Sequence, residues 1–342
     1  MTRPTVRLGS PGELALALPM LLGYQPTESL VISCLHGDRA ALGLTLRFDL
    51  DTLEPVGEAA DEVAARATVA GADTVLLAVY SEQAVVGGKL PYVDLIGELF
   101  EHPDLWVSDA LLVQHDRWWS YLCAGDGCCP PEGVAIEGPR TAELTTLEAS
   151  LVLSGSSVLA DRASLVSSLA TESSAATPTQ RRRVTRARSR VAAMTVEHRR
   201  VELARLVDRL TARLQDPRGV VTDAESASLA ALCEDIGARD DLLLQAASAQ
   251  RRAQVLALLR VVLRRIPPPH DAPICTVLAW FAYATGDGTL ANIALDRALG
   301  SDPYYSLAQL IESGLDRQLP PSVIEEVVNG AAQDIAARDA AG

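Results

Sequence analysis

The apolar positions along this chain change period near its middle. Up to about residue 120 they alternate or fall in short blocks, whereas beyond about residue 140 they recur at helical spacings of three and four. The first block, "PGELALALPMLLG", lies between a start and a stop signal. Ser10 at the N-cap, Pro11 at the first helical position and Glu13 at the third form a capping box, and Gly23 and then Pro26 end the run, which predicts a short helix over 13–22. "SLVISCL" and "LGLTLRFDL" flank the turn "HGDRA" and predict two strands. In the second, Leu44, Leu46 and Phe48 alternate with Thr45, Arg47 and Asp49, giving one buried and one polar face. A helix over about 51–70, an apolar strand over 74–80, a helix over about 92–102 and two strands in "DALLVQHDRWWSYLC", turning at His115–Arg117, complete this half. That order of elements predicts an α/β N-terminal domain with a mixed sheet, because a helix between strands allows a parallel pair and a tight turn makes an antiparallel one.

Past Gly138 no strand pattern returns. A long basic helix carries Leu203, Val207, Leu210 and Leu214 on one face, a capping box Thr222-x-x-Glu225 opens another, and "AQVLALLRVVLRRI" ends at Pro267–Pro269. In "LAWFAYATGDGTLANIALDRALGSDP", Ala279, Gly286, Ala291, Leu295, Ala298 and Pro303 fall near the offsets of a tetratricopeptide-type hairpin, with the inter-helix Tyr displaced to Tyr283. The expectation is an α/β domain over 1–140, a helical connector and linker over 141–180 whose polar stretch Thr171–Gln180 is the linker, and an all-α helical domain over 181–342 containing a tetratricopeptide-like helical hairpin.

Composition narrows the class. The 342 residues are 48% apolar and 22% charged, a globular profile with enough apolar material for two cores, and the net charge is −14. Twelve Arg against four carboxylates between Arg181 and Arg218 give that segment +8 and leave −22 on the rest, which disfavours the whole molecule as a phosphate binder. The Arg run "RRRVTRARSR" is expected to begin a helix docked on acidic surface, with nucleic-acid contact as its alternative. Near the N-terminus, Glu13, Pro19 and the polar Gln25, Pro26 and Glu28 interrupt what would otherwise imitate an export signal. No apolar run reaches the ~18 residues of a membrane span. The expected location is cytoplasmic, with no membrane partner and reduced thiols.

Four stretches in this order, "SPGELALALPMLLGYQPTESLVI", "LRFDL", "RWWSYLC" with "CCPPEG", and "LAWFAYATGDGTLANIALDRALGSDP", resemble the actinobacterial domain-of-unknown-function family 4192. The resemblance spans nearly the whole chain. It implies a bacterial cytoplasmic protein and a cysteine cluster shared with relatives; it brings no assigned activity and no catalytic residue.

The residues themselves offer a few candidates. Cys123, Cys128 and Cys129 supply three thiols where a structural zinc wants four ligands, and His115 lies roughly 25 Å away along an extended strand, so no metal and no cofactor is expected. The cluster is read as a structural or redox element, preferably a packed turn of free thiols beneath Pro130 and Pro131, with a disulfide from Cys123 to Cys128 or Cys129 as the alternative. Trp118 and Trp119, adjacent in a strand, point to opposite faces: one is core, the other lies under a helix or forms a binding platform. Arg47 and Asp49 share the polar face of their strand as an ion pair or, in a cleft, an anion anchor. Glu28 and Ser29 precede the first strand without a partner at a nucleophile–base spacing. These six are the ligand-binding candidates. Three functions stay open: a non-catalytic binding or scaffold protein, with a protein partner or self-association and an optional small-molecule ligand; an enzyme, hydrolase or transferase, at the sheet edge; and a nucleic-acid accessory protein using the Arg-rich helix. The first needs nothing the sequence lacks and is preferred.

Overall fold

The computed structural model describes residues 10–37, 40–123, 130–136, 142–153, 157–245 and 248–320, with 323, 326 and 330 beyond them. Helix α1 (Pro11–Leu22) forms where the caps demand it. The Ser10 side chain accepts from the Glu13 amide at 3.3 Å, and Gly23, at φ 79°, closes the helix by donating its N–H to the Pro19 carbonyl at 2.9 Å. Pro19 lies inside this helix instead of ending it. Lacking an N–H, it leaves the Ala15 carbonyl one turn back without its helical donor, and the buried Tyr80 hydroxyl takes that place at 3.1 Å. The same burial pushes the Tyr80 phenol far above its ordinary pKa.

The strands are β1 (Ser29–His36), β2 (Ala41–Asp49), β3 (Thr74–Tyr80), β4 (Val107–Gln114), β5 (Arg117–Ser120) and β6 (Val134–Ala135), in the order β2-β1-β3-β4-β5-β6. Only β3 and β4 pair parallel, joined through α3 (Val93–Glu101); every other neighbouring pair is antiparallel, so the mixed sheet is as expected. Register assigns the faces. Leu30, Ile32, Val75, Leu77, Val79, Ala110, Leu112 and Trp119 belong to one core, shared with Ala60, Val63 and Ala67 of α2 (Val56–Val69) and Leu95, Ile96 and Leu99 of α3. The opposite face meets α1, against which α4 (Ala142–Leu153) packs. Helix α2 starts later than the expected 51, since residues 50–52 form a 3-10 turn and Pro55 sets the N-cap.

Two compact units divide the chain, residues 2–162 and 163–342, and the boundary falls inside the 141–180 connector. The second unit is all helical among its described residues: α5 (Arg162–Ser168), α6 (Pro178–Ala192), α7 (Val196–Arg213), α8 (Asp223–Cys233), α9 (Ile236–Leu244), α10 (Ala249–Leu263), α11 (Ala272–Ala284), α12 (Gly288–Ser301) and α13 (Ser306–Asp316). Helix α6 packs on α8, α7 on α9, α10 on α11 and α11 on α12. The reciprocal Thr222–Glu225 capping box forms at the start of α8. Helix α11 is apolar all round and buried on nearly every position, which makes it the centre of this unit. No described helix is long and apolar enough to cross a membrane.

The stretch 171–180 is not the free linker its composition suggests. Thr171 Oγ1 donates to the Ile266 carbonyl at 3.2 Å and the Glu172 amide to the Arg264 carbonyl at 2.8 Å. The fully buried Gln180 side chain donates to the Asp223 and Arg265 carbonyls at 3.2 and 3.0 Å. Polar residues here saturate the open carbonyls around the end of α10, so polarity serves docking rather than solvation.

Candidate functional site

The carboxyl ends of β2, β3 and β4 lie along one edge of the sheet, with the start of β1 among them. In open α/β sheets the crevice outside the strands' carboxyl ends is where ligands bind, which makes this edge the first place to look. Glu28, held at φ 41° just before β1, points its carboxylate across to the segment after β3. It accepts from the Glu82 amide at 2.7 Å, from the Ser81 hydroxyl at 3.0 and 3.2 Å and from the Tyr92 hydroxyl at 3.4 Å. From the end of β4, Gln114 Nε2 donates to the Ser81 and Gln83 carbonyls, each at 3.1 Å. His115, at φ 52° in the β4–β5 turn, pairs with Glu82 at 2.9 Å. Loop 81–92 is therefore tied down on both sides, and its exposed tip carries Val86, the consecutive left-handed Gly87 and Gly88, and the chain's one Lys, Lys89.

Beside it, Arg47 donates through Nε to the buried Ser29 hydroxyl at 2.8 Å and through Nη2 to Asp49, while Ser29 donates to the Thr27 carbonyl at 2.6 Å. Asp49, Arg47 and Thr45 share a face with Ser29, Val31 and Ser33 by strand register, and the buried Ser33 hydroxyl has no partner among the described residues. Burial raises the Tyr24 phenol, opposed by the positive charge of Arg47 and Arg162. Burial likewise raises Tyr92, where the Ser81 hydrogen bond opposes it and the Glu28 carboxylate adds to it.

Four of the six sequence candidates, Glu28, Ser29, Arg47 and Asp49, thus meet at one edge. Trp118 and Trp119 do not join them. They sit on β5, four strand spacings or about 19 Å from β2. They do face opposite ways, and both are covered. Trp119 lies in the core, donating from Nε1 to the Pro131 carbonyl at 3.2 Å, while Trp118 packs on α1, with its Nε1 3.2 Å from the point where a Gly12 Cβ would sit. The motif after the cysteines is explained by the same ring. Gly133 sits at φ 78° with the Trp119 ring 2.5 Å from the position of any Cβ, so only glycine lets β6 close over it.

Sequence reading missed Ser81, Tyr92 and Gln114. They follow strands or open a helix with no local signal, and only the rule of strand carboxyl ends would have pointed to Ser81 and Gln114. Chemically, Ser81 and Glu28 have the spacing of a nucleophile and a base, but Ser81 is 5% exposed and its oxygen already accepts from the Gln83 amide at 3.1 Å. A nucleophile needs an open approach to its oxygen. This geometry braces a loop.

Cys123 is disulfide-bonded, which corrects the expectation of a free thiol there; Cys128 and Cys129 lie outside the described residues. Cys34, Cys233 and Cys275 are buried free thiols, and burial pushes Cys34 up to about 11 and Cys233 up to about 12. No group of three or more His, Cys, Asp or Glu side chains suited to a metal occurs among the described residues.

Part of the basic segment forms helix-to-helix ties. Arg183 pairs with Asp223, Arg188 with Glu234, Arg199 with Asp235, Arg200 with Asp241 and Arg213 with Glu225, at 2.5–2.9 Å. Between α6, α7 and α8 a shallow cleft of about 120 Å³ is lined by Val191, Met194, Leu232, Arg190, Glu202 and Ser228.

Against known proteins, the sequence model of one family, described as a domain of unknown function (DUF4192), matches residues 11–322. No curated protein and no solved structure matches the chain.

Proposed function

The chain belongs to that family, and from this premise we propose that it is a non-catalytic cytoplasmic binding protein, its α/β unit taking a small polar ligand and its helical unit a protein partner. The observation that carries the reading is the state of the strand-end edge: Glu28, Ser81 and Gln114 are bound into bracing loop 81–92, while Arg47, fixed by Ser29 and Asp49, keeps Nη1 free of any partner among the described residues. A braced loop beside one fixed guanidinium suits recognition of an anion or a carbonyl; Arg presents a rigid fork for such groups. In the helical unit, the small cleft is well below the ~300 Å³ at which ligand pockets begin, and it suits one side chain of a partner instead. Five of the twelve arginines between Arg181 and Arg218 are paired with carboxylates on or beside α8 and α9, and the rest of the chain carries −22, which weighs against the nucleic-acid alternative.

Intact mass spectrometry of protein purified from its own host tests this. A small molecule retained by wild type, lost in Arg47→Ala and released unchanged, supports the reading. Release of a chemically converted molecule would show an enzyme instead.

A further inference from the structure

The arginines of α6 divide into two sets. The helix carries six, at 181, 182, 183, 186, 188 and 190, and no Asp or Glu. Arg183 and Arg188 reach Asp223 and Glu234, and Arg181 donates to the Pro268 carbonyl at 2.8 Å, so these three serve the packing. Arg182, Arg186 and Arg190 stay exposed. Arg182 and Arg186 have no side-chain partner among the described residues, and Arg190 donates only to the Ser228 hydroxyl, at 3.5 Å. Spaced by four, the three form one ridge along the helix, with about 6 Å between successive members. Like charges at that spacing weaken a helix, and α6 has no carboxylate of its own to offset them. A further step of four reaches Met194, just past the helix end. Met194 lines the cleft between α6, α7 and α8 together with Val191 and Leu232, and Arg190 and Glu202 are the charged part of its lining. Arg190 thus belongs to both features, and the basic ridge runs directly into the apolar cleft.

We propose that this surface docks an acidic amphipathic helix of a partner protein, with carboxylates four residues apart along Arg182, Arg186 and Arg190 and one apolar side chain a turn further on, in the cleft beside Met194. Charge complementarity selects the occupant. Three cations without an ion-pair partner call for carboxylates, and a ridge of side chains four apart fits the groove of another helix, whose own side chains repeat at the same interval. The side chain that enters the cleft is uncharged, because Glu202 repels a carboxylate there and Val191, Met194 and Leu232 favour an apolar group. A nucleic-acid strand fits less well. Its phosphates match the arginines, but it brings no aliphatic side chain to the cleft, and the −22 on the rest of the chain repels it. This inference deepens the reading that the helical unit takes a protein partner, and rests on it.

The test is fluorescence anisotropy on the full chain. Its probe is a synthetic helix-forming peptide with Glu at three positions four residues apart and Leu four beyond the last. The peptide is expected to bind at near-physiological salt with a dissociation constant below about 100 μM. Replacing its Leu by Ala is expected to weaken binding about tenfold, and Arg186→Gln in the protein about twofold to fivefold. Arg186→Glu is expected to bind better when the peptide's middle Glu becomes Lys. Arg209→Gln, also exposed but seven residues beyond Glu202 on α7, is expected to leave the affinity unchanged. Arg186 is exposed and without a partner, so circular dichroism should not change in Arg186→Gln; should Arg186→Glu fail to fold, that variant and the peptide series still decide. No binding up to about 1 mM overturns the proposal, as does an equal loss in Arg209→Gln. Tighter binding of duplex DNA with the same loss in Arg186→Gln would assign the surface to nucleic acid, and wild-type self-association abolished by Arg186→Gln would assign it to a second copy; either result overturns the proposal. Photocrosslinking in the host from a reactive residue at Ser189, beside the ridge, separates this inference from the reading beneath it. A crosslinked protein whose mapped segment has the acidic spacing and the apolar residue supports both. A mapped segment without carboxylates ends the inference and leaves the partner reading standing, whereas no protein crosslinked from any exposed position on α6 to α13 ends both.

Discussion

The helical unit and the α/β unit place their charged residues in opposite ways. In the helical unit many of them are distributed through the packing, with Arg183, Arg188, Arg199, Arg200, Arg213, Arg251 and Arg297 crossing to carboxylates elsewhere in the unit. In the α/β unit the interior is almost wholly apolar, and the polar groups of the candidate site gather at one end of the sheet. The difference teaches what Arg richness means in this chain. Where paired, on α6 and α7, it is a means of joining helices; at a single residue on β2, held against Ser29 and Asp49, it marks a site. Counting arginines cannot separate the two, and their partners can.

The sharpest way to break the comparison is to remove the most buried tie. Arg297 donates through Nε to Asp271 at 2.7 Å, through Nη2 to Thr171 at 2.8 Å and to the Ile266 carbonyl at 3.1 Å, and through Nη1 to the Leu169 carbonyl. Asp271 is fully buried, and its Oδ1 has no partner among the described residues. Arg297→Ala leaves an uncompensated carboxylate in the interior and is expected to cost about 3–5 kcal/mol. Hydrogen exchange should show the loss over the helices of the second unit, while β1, β3 and β4 keep their protection. The paired change Arg297→Met with Asp271→Leu should cost clearly less, because it removes both charges together. A double variant as unstable as the single would mean that Arg297 acts by its carbonyl contacts and not by its charge.

The same residue shows where sequence reading succeeded and where it stopped. Elements defined by local pattern were legible: the capped α1, the Thr222–Glu225 box and the His115 turn all lie where spacing put them, and β2 forms where it was expected, but a bulge between its pairings with Ser33 and Leu35 breaks the alternation and leaves Leu44 exposed. What escaped depends on partners distant in the chain. The polar stretch 171–180 has the composition of a linker, yet Arg297, 126 residues beyond Thr171, holds it in place. The expected helix over 13–22 runs through Pro19 as α1 does, yet nothing local reveals that Tyr80 will take the freed Ala15 carbonyl. At the candidate site the half contributed by β1 and β2 was legible, since residues 47 and 49 share a face by strand period and Glu28–Ser29 adjoin a strand start. Ser81, Tyr92 and Gln114 were not, because the pairing of β1 with β3 and of β3 with β4 brings them there.

At the α/β edge the expected effect is smaller and local. Glu28→Ala removes the acceptor for the Glu82 amide and for the Ser81 and Tyr92 hydroxyls, and hydrogen bonds to a charged group are worth about 1.5–3 kcal/mol each when buried. Glu28 itself is exposed, so water replaces part of that loss, and about 1–2 kcal/mol is expected in total. The consequence is release of loop 81–92: proteolysis at Val86–Lys89 should accelerate, with the helical unit unaffected. Unchanged cleavage would show that Gln114 and Tyr121, whose hydroxyl donates to the Pro91 carbonyl at 2.7 Å, suffice to hold the loop.

The smallest effect concerns pH and the rim of the helical unit. Burial alone would raise the carboxyl pKa values of Glu225 and Asp235, but opposing contacts outweigh it. For Glu225 these are the Thr222 amide and hydroxyl and Arg213; for Asp235, the Ala238 amide, Arg199 and the Gly237 amide. Both carboxyls end below their ordinary values. A folded-state pKa below the unfolded one stabilises the native state above the unfolded value, and the contribution is lost as pH falls through the depressed one. The helical unit should therefore weaken on acidification, starting near the ordinary carboxylate range of about 4 and continuing below it. Each pair is partly open to solvent, which holds its contribution to about 1 kcal/mol or less. Arg199→Met is expected to flatten this acid limb slightly in a urea titration followed across pH, lowering stability at neutral pH while converging with wild type once Asp235 is protonated. If the two curves stayed parallel down to the acid end, Arg199 would be acting through its bonds to the Val191 and Ala192 carbonyls, at 2.9 and 3.0 Å, and the charge on α7 would be incidental to how this unit is joined.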